Sequence, residues 1–318
     1  MSLSNKRIIF CLTLSLASAG LCSCSPGITH YSGTAYGYGT TWDIHLYQGS
    51  QKDVDEIVSY ISQTSQVLDV EKTSCVNGVY TLNEKGTVEG DPFLLEAFSL
   101  ANRVKEIAPD TFSYSLGALT SAWLESLDQG EVLDDATKLA LLEEAKSTTV
   151  SIAGNTITKA GKGQIDLGSI GKGLCLNKLK KTLDEKGIKQ YLINGGSSSI
   201  LVGETPNSDG NLKVYLEDAK PHYFYTKNLA ISASSVSKQG VKIDGKTYSH
   251  IIDPRNGNAN LEYDALYRLG EDAGLLDGLT TSFLVLGEQG KEKLNQLGVK
   301  YAFCKDGKVV YANEEFIR

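Results

Sequence analysis

The sequence predicts an α+β fold, in which helices and strands are mixed without strict βαβ alternation. Apolar residues repeat at helical spacing over 54–70, 93–107 and 275–286. Residues 41–47 instead alternate polar and apolar side chains, as a half-buried strand does. The chain has 318 residues, more than one small core needs, and shows no internal repeat or low-complexity linker. We therefore expect one large domain or two lobes.

The remaining elements follow from local signals along the chain. Asp91 and Pro92 supply the cap and first-turn proline for the helix over 93–107, and Gly187 closes a helix over 174–186. The other predicted elements are a loop over 112–119 leading to a helix with Trp123, an exposed helix over 134–146, a hairpin over 150–157, a turn at 161–163, strands over 191–193 and 229–233, and a hairpin over 241–252 that turns at Asp244-Gly245.

Charge and composition bear on the class of ligand. The net charge is −7, and no basic run is longer than Lys180-Lys181, so we expect no nucleic-acid partner, because such partners need a basic face. A small anionic ligand stays possible, since a bound Mg²⁺ can supply the missing positive charge.

The first residues resemble a bacterial export signal. Lys6 and Arg7 precede an apolar stretch over 8–19 that is too short to span a bilayer. Leu21 stands three places before Cys24, as in the lipobox of lipoproteins. We expect residues 1–23 to be a signal peptide.

Cys24 is the expected site of acylation, for example by palmitate. Residues 24–32 would then be a lipid-anchored linker, and 33–318 one two-lobed domain outside the membrane, facing the periplasm or the exterior. The alternative is an ordinary cleaved signal without lipid. Three further cysteines do not form a disulfide framework and are interpreted as small buried hydrophobic residues: Cys75, Cys175 and Cys304.

A histidine and an aspartate lie close together where a strand is expected to stop. His250 and Asp253 are three residues apart, and Pro254 with Asn256-Gly257 ends the segment at once. An abrupt strand end would present both side chains to a ligand. The alternative is a buried histidine that is capped by its neighbour.

Two glycine-rich segments follow the pattern of anion-binding or ring-facing loops. Residues 168–173 contain three glycines and open a helix, so free N–H groups and Lys172 would face an anion. Residues 194–196, Asn-Gly-Gly, follow a buried strand. A plain tight turn is the alternative for the second segment.

Asp277 and Thr281 lie four residues apart on an apolar helix and therefore project from one face. A carboxylate and a hydroxyl make half of a Mg²⁺ site, since Mg²⁺ takes oxygen ligands and keeps several waters. The alternatives are a hydrogen bond on the helix surface, or Asp277 acting as the cap of a short helix.

Together these segments resemble one family, the FAD:protein FMN transferases of the ApbE family. The motifs at 39–41, 166–173, 194–196, 249–254 and 277–281 occur in that family's order, and the resemblance runs from about Gly33 to about Gly287. It implies mixed sheets with helices in two lobes around a central flavin cleft. FAD would be the substrate, with its pyrophosphate over Mg²⁺. A Thr or Ser hydroxyl of an acceptor flavoprotein would attack the FMN-side phosphorus, and AMP would leave.

The resemblance also implies residue roles. Asp277 and Thr281 would bind the metal, with a backbone carbonyl near Ser169 as a third ligand, and His250 would be the general base. Residues expected to contact FAD are Tyr38, Gly39, Thr40, Asp166, Lys172, Asn194, Gly195, Gly196, Ser249 and Asp253. Tyr38 stands where the family usually has methionine.

Two other functions remain open at this point. One is a Mg²⁺-dependent FAD pyrophosphatase, in which water replaces the acceptor hydroxyl and free FMN and AMP are released. The other is a lipid-anchored flavin-binding protein without turnover.

Overall fold

The computed structural model describes residues 29–71, 73–236, 240–259 and 261–313. The predicted signal peptide, Cys24 and residues 25–28 of the predicted linker lie outside the described residues. Within the described part, none of the helices combines the length and apolar character needed to cross a membrane.

An eight-stranded antiparallel sheet forms the centre of the fold. Its strands, in spatial order, are β1 (Tyr31–Gly37), β2 (Thr40–Leu46), β6 (Tyr191–Gly195), β7 (Ser199–Val202), β10 (Leu229–Ser235), β13 (Ala265–Gly270), β14 (Lys300–Lys305) and β15 (Lys308–Ala312). The pairing of β1 with β2 begins at Tyr31, which lies opposite Leu46.

Both faces of this sheet are buried, and every residue of the central strands β6 and β7 is therefore buried. Ile193 and Leu201 face a core that includes α1 (Gln51–Leu68), α3 (Pro92–Ile107), α6 (Gly168–Glu185) and α7 (Ala273–Leu286). Leu192 and Val202, one residue along, face the opposite core, which is covered by β8 (Leu212–Tyr215) and β9 (Tyr223–Thr226). The helix-covered face is the one that carries the candidate site.

Smaller elements surround the sheet and its helices. They are α2 (Val79–Lys85), a three-stranded sheet of β3 (Thr87–Glu89), β5 (Thr156–Ala160) and β4 (Thr149–Ala153), α4 (Gly117–Asp128), α5 (Asp135–Ser147), a short 3-10 turn (Glu217–Ala219), the hairpin of β11 (Val241–Ile243) and β12 (Lys246–Tyr248), and α8 (Glu288–Leu297). Leu119 and Trp123 of α4 form a separate small core with Ile252 and Ala259.

The α+β prediction is confirmed, and the helix predicted over 93–107 begins as expected, because Asp91 Oδ1 accepts the Phe93 N–H at 2.7 Å. The predicted hairpin over 241–252 is too long, since β12 ends at Tyr248. The indole Nε1 of Trp123 donates to the Ser249 carbonyl at 2.8 Å, which uses a backbone acceptor that a continuing strand would need. His250 therefore lies in a loop that is anchored to α4, and the predicted strand end at His250 is wrong.

Candidate functional site

Two backbone turns meet at one end of the sheet. A Cβ atom added at Gly196 would lie 2.3 Å from Thr40 Oγ1, so the turn after β6 packs directly against the start of β2. Gly196 and Ser197 have φ values of 69° and 66°, which is the left-handed region that glycine adopts without cost. Gly39 has φ 72° and no atom near its missing Cβ. The structure thus brings the predicted 39–40 and 194–196 segments together.

The side chains of Tyr38 and Asn194 are largely occupied in holding these turns. The Tyr38 hydroxyl donates to Thr64 Oγ1 at 2.8 Å, and its ring lies against Gly171 of α6. The Asn194 side-chain oxygen accepts the Ser197 N–H at 2.8 Å. Tyr38 is therefore packed between α1 and α6. Because the side chains of Tyr38 and Asn194 are engaged within the protein, a ligand at this end of the sheet would mainly contact the backbone of the two turns.

Of the predicted Asp277–Thr281 pair, Asp277 is buried against the sheet and Thr281 is half-buried. Asp277 is 7% exposed. Its Oδ1 accepts from Ser199 Oγ at 2.6 Å and from Ser232 Oγ at 3.2 Å, and its Oδ2 accepts the Gly173 N–H at 2.7 Å. The cap of α7 is Asp272, which accepts the Leu275 N–H, so the capping alternative for Asp277 is excluded. Because Asp277 is buried, the alternative of a hydrogen bond on the helix surface is excluded as well.

Thr281, one turn further along α7, has its Oγ1 2.8 Å from Ser234 Oγ of β10. The two predicted metal ligands therefore face the same edge of β7 and β10 from one side of one helix. The oxygen atoms that meet here belong to the Asp277 carboxylate and to four hydroxyl groups, those of Ser199, Ser232, Ser234 and Thr281. Hard oxygen donors of this kind are what Mg²⁺ prefers.

The electrostatics of this site favour an added positive charge. Burial raises the pKa of the Asp277 carboxyl, and the Lys172 ammonium and the hydrogen-bond donors oppose that rise. Burial likewise raises the pKa of Asp166, opposed by the Gly168 N–H and by Lys172. The described residues contain no group of three His, Cys, Asp or Glu side chains that could hold a metal. The donor set that fits a cation is therefore Asp277 and Thr281, supplemented by backbone oxygens and water.

The glycine-rich run lies inside the first turns of α6 rather than in a loop before it. The helix begins at Gly168, six residues before the predicted segment over 174–186, and Asp166 Oδ1 accepts the Gly168 N–H at 2.7 Å. Ser169 is exposed in the first turn, and Lys172 is half-buried one turn further on. The Ile170 and Gly171 N–H groups bond to the Leu167 carbonyl, so most amides of this turn are already paired, and what the start of α6 offers an anion is mainly the helix dipole.

The later glycines of this run serve helix packing. A Cβ atom added at Gly173 would lie 2.2 Å from the Ala273 carbonyl oxygen, and one at Gly171 would lie 3.0 Å from both Leu68 and Tyr38. Helices α6 and α7 therefore approach closely only because residue 173 has no side chain. That approach also delivers the Gly173 N–H to Asp277.

We expect Gly173→Ala to lower the free energy of unfolding by about 1–3 kcal/mol or more, because the added methyl meets rigid backbone. Urea denaturation monitored by circular dichroism measures the change. Gly270→Ala is the matched control, since its Cβ would meet only the Leu276 side chain at 3.4 Å, an ordinary contact. Equal stability of the two variants would contradict the close crossing of α6 and α7.

His250 lies in the loop after β12 and faces the site's lysine. Its ring Nδ1 is buried and has no hydrogen-bond partner among the described residues. Burial, followed by the Lys172 charge, lowers the pKa of His250 to about 4. The imidazole is therefore unprotonated at pH 7, which is the state that a general base needs.

Asp253 does not cap His250. Its carboxylate accepts from the Arg255 guanidinium, with Nη2 at 2.7 Å, and from the Arg255 backbone N–H at 2.9 Å. Ser249 is also engaged locally, because its hydroxyl oxygen accepts the Ile251 N–H at 3.0 Å. Ser249 and Asp253 thus stabilise the loop that carries His250. The alternative in which Asp253 caps a buried His250 is excluded.

We expect the His250 ring to titrate near pH 4, well below an ordinary histidine. The pKa of His250 in the folded protein lies below the ordinary value of 6.5, so the unfolded chain binds the proton more tightly. Stability should therefore fall as pH is lowered from about 6.5 towards 4. Proton NMR of the ring resonances measures the pKa, with His250→Asn to assign the signal. A His250 signal titrating near pH 6.5 would contradict the burial of its ring.

Sequence and structure comparisons agree on one family. The model of the ApbE family matches residues 38–303. A curated relative from Klebsiella pneumoniae named FAD:protein FMN transferase is 26% identical over 258 residues, covering 77% of this chain and 76% of the relative. Another of that name, from Buchnera aphidicola, is 29% identical over 149 residues, and the match covers 45% of this chain but only 43% of that relative.

The solved flavin transferase ApbE from Vibrio cholerae has a similar fold, with a TM-score of 0.74 at 21% identity over 91% of this chain and 98% of that one. The shared fold confirms the predicted ApbE-like α+β architecture. Because the family model covers most of the chain, from one glycine-rich turn through β14, the chain belongs to the ApbE family.

Proposed function

We propose that this protein transfers the FMN moiety of FAD to a Thr or Ser hydroxyl of an acceptor flavoprotein, with Mg²⁺, and releases AMP. The observation that carries the proposal is the buried Asp277 carboxylate, which three donors from α6, β7 and β10 hold beside Thr281. The names of the relatives, FAD:protein FMN transferase, support the same reaction.

Asp277 and Thr281 would hold the Mg²⁺, together with a backbone carbonyl near Ser169. When bound, Mg²⁺ would neutralise charge on the FAD pyrophosphate. Lys172 and the first amides of α6 would contribute further positive potential towards the phosphates. Phosphoryl-type transfer depends mainly on such positioning and charge neutralisation, which suits a site with few reactive side chains.

His250 would take the proton of the incoming hydroxyl as its oxygen attacks the FMN-side phosphorus. The bond from that phosphorus to the AMP oxygen breaks, and FMN stays attached to the acceptor through a phosphoester. The turns at Gly39-Thr40 and 194–196 would line the flavin and adenosine pockets with backbone. Asp166, at the start of α6, would lie near the phosphates.

Analysis of the nucleotide products tests this function. Purified mature protein is incubated with FAD and Mg²⁺, with and without an acceptor domain, and the products are separated by chromatography. We expect AMP to form only with the acceptor, in a one-to-one ratio with bound flavin. Rapid release of free FMN and AMP without acceptor would instead show a pyrophosphatase, and FAD retained unchanged would show a binding protein.

We further propose that the protein is exported and lipid-anchored through Cys24. The spacing of Leu21 and Cys24 after the short apolar stretch over 8–19 supports this proposal. The anchor would precede Tyr31, which lies at the end of β1 away from the Gly37–Thr40 turn. Cys24→Ala should move the protein from the membrane to the soluble fraction of cells, and retention in the membrane would contradict the anchor.

A further inference from the structure

We propose that Ser234 is a positioning residue that orients the Thr281 hydroxyl towards the cation, a role that rests on the proposed Mg²⁺ site. Ser234 is 9% exposed and lies on β10, and its Oγ is 2.8 Å from Thr281 Oγ1. It touches a predicted ligand rather than the substrate.

The spacing of two serines on β10 matches the spacing of the two predicted metal ligands on α7. Ser232 and Ser234 are alternate residues of β10 and therefore point to the same face, roughly 7 Å apart. Asp277 and Thr281 are one helical turn apart on α7, about 6 Å along the axis. Ser232 bonds to Asp277 at 3.2 Å and Ser234 bonds to Thr281 at 2.8 Å, so each predicted ligand contacts a different serine of β10.

Three successive hydroxyl residues on α7 behave differently. Thr280 donates to the Leu276 carbonyl at 2.6 Å, and Ser282 donates to the Gly278 carbonyl at 2.8 Å, so both hydrogens are used within the helix. The Thr281 hydroxyl contacts the β10 serine instead. Its hydrogen is therefore available for a partner outside α7.

The direction of this hydrogen bond decides what Thr281 can bind. A neutral hydroxyl coordinates a cation through an oxygen lone pair, and its hydrogen must then point elsewhere. If Thr281 donates to Ser234, its lone pairs are free to face the metal. If Ser234 donated instead, it would occupy one of the two lone pairs, and the Thr281 hydrogen would need another acceptor. The described residues show no hydrogen bond of the Thr281 hydroxyl other than the one to Ser234, so we expect Ser234 to act as the acceptor when metal is bound.

Metal binding to three variants tests this role. Mg²⁺ and Mn²⁺ are titrated by calorimetry into Ser234→Ala, Ser234→Thr and Ser282→Ala, with FAD absent and then present. We expect Ser234→Ala to weaken metal binding about 10- to 100-fold, as loss of a partner behind a metal ligand commonly does. Ser234→Thr keeps the acceptor oxygen and should bind within a few-fold of wild type. Ser282→Ala removes a buried hydroxyl next to Thr281 and should leave affinity unchanged.

Two further measurements distinguish an effect on the orientation of the Thr281 hydroxyl from an effect on folding or on the transfer reaction itself. The melting temperature in EDTA should be similar for Ser234→Ala and Ser282→Ala, and excess Mg²⁺ should restore FMN transfer by Ser234→Ala. Unchanged metal affinity in Ser234→Ala, equal weakening in Ser282→Ala, or no metal binding by wild type with or without FAD would each overturn the proposal. Metal binding that depends on Ser234 in a protein that transfers no FMN would instead overturn the function and leave this role in place.

Discussion

Asp277→Asn is expected to lower the rate of FMN transfer by about 1,000-fold, since loss of a metal ligand removes several kcal/mol of charge stabilisation. The amide keeps the size of the side chain but removes its negative charge. In wild type, the Asp277 carboxylate accepts hydrogen bonds from Ser199, Ser232 and the Gly173 amide. An asparagine can accept through only one of its two ends, so its NH₂ group would face at least one of these donors. Initial rates of acceptor flavinylation at excess FAD and Mg²⁺ measure the loss.

The control for this change is Asp134→Asn. Asp134 caps α5 by accepting the Thr137 N–H at 2.9 Å, and asparagine caps helices equally well. Asp134→Asn should therefore transfer FMN at the wild-type rate. Retention of wild-type activity by folded Asp277→Asn would show that this carboxylate does not hold the metal.

His250→Ala is expected to lower transfer by about 100- to 10,000-fold, the usual contribution of a general base. Since the His250 pKa is about 4, the wild-type rate should stay level from neutral pH and fall only as the pH drops towards 4. An anionic substrate beside the ring would move this fall to higher pH, because nearby negative charge favours the imidazolium. The variant should lose this acid limb along with its activity.

His222→Gln is the matched control, because His222 is exposed in the turn before β9. It should match wild type in both rate and pH profile. If His250→Ala kept both the rate and the acid limb, another group would have to accept the proton, and the assignment of His250 would be wrong.

Periodic and closely spaced patterns were the features that sequence could predict. The i,i+4 spacing of Asp277 and Thr281 places them on one face of α7 whatever the surrounding fold, and the structure confirms that placement. The turn residues Asn194-Gly195-Gly196 also indicated the end of β6, although the strand runs to Gly195 and the turn itself lies over 196–198. Strands β14 and β15 at the C-terminal end were not predicted, although they complete one edge of the central sheet.

The features that could not be predicted from the sequence depend on contacts between residues that are far apart in the chain. Ser199 lies in β7, whereas Ser232 and Ser234 lie in β10, and only the pairing of β7 with β10 under α7 brings them to Asp277 and Thr281. The bond from Trp123 to Ser249 joins residues 126 positions apart, so the early end of β12 has no local signature. The requirement for glycine at position 173 could not be predicted either, because it comes from the close approach of a second helix, α7.

The most direct test of the central claim is the intact mass of an acceptor domain after incubation with this protein, FAD and Mg²⁺. The proposed function predicts an increase equal to one FMN less one water, which is lost when EDTA is added or when Asp277→Asn replaces wild type. Fragmentation should place the added mass on a Thr or Ser side chain. An acceptor of unchanged mass, across acceptors that a related FAD:protein FMN transferase does modify, would contradict the proposed transfer.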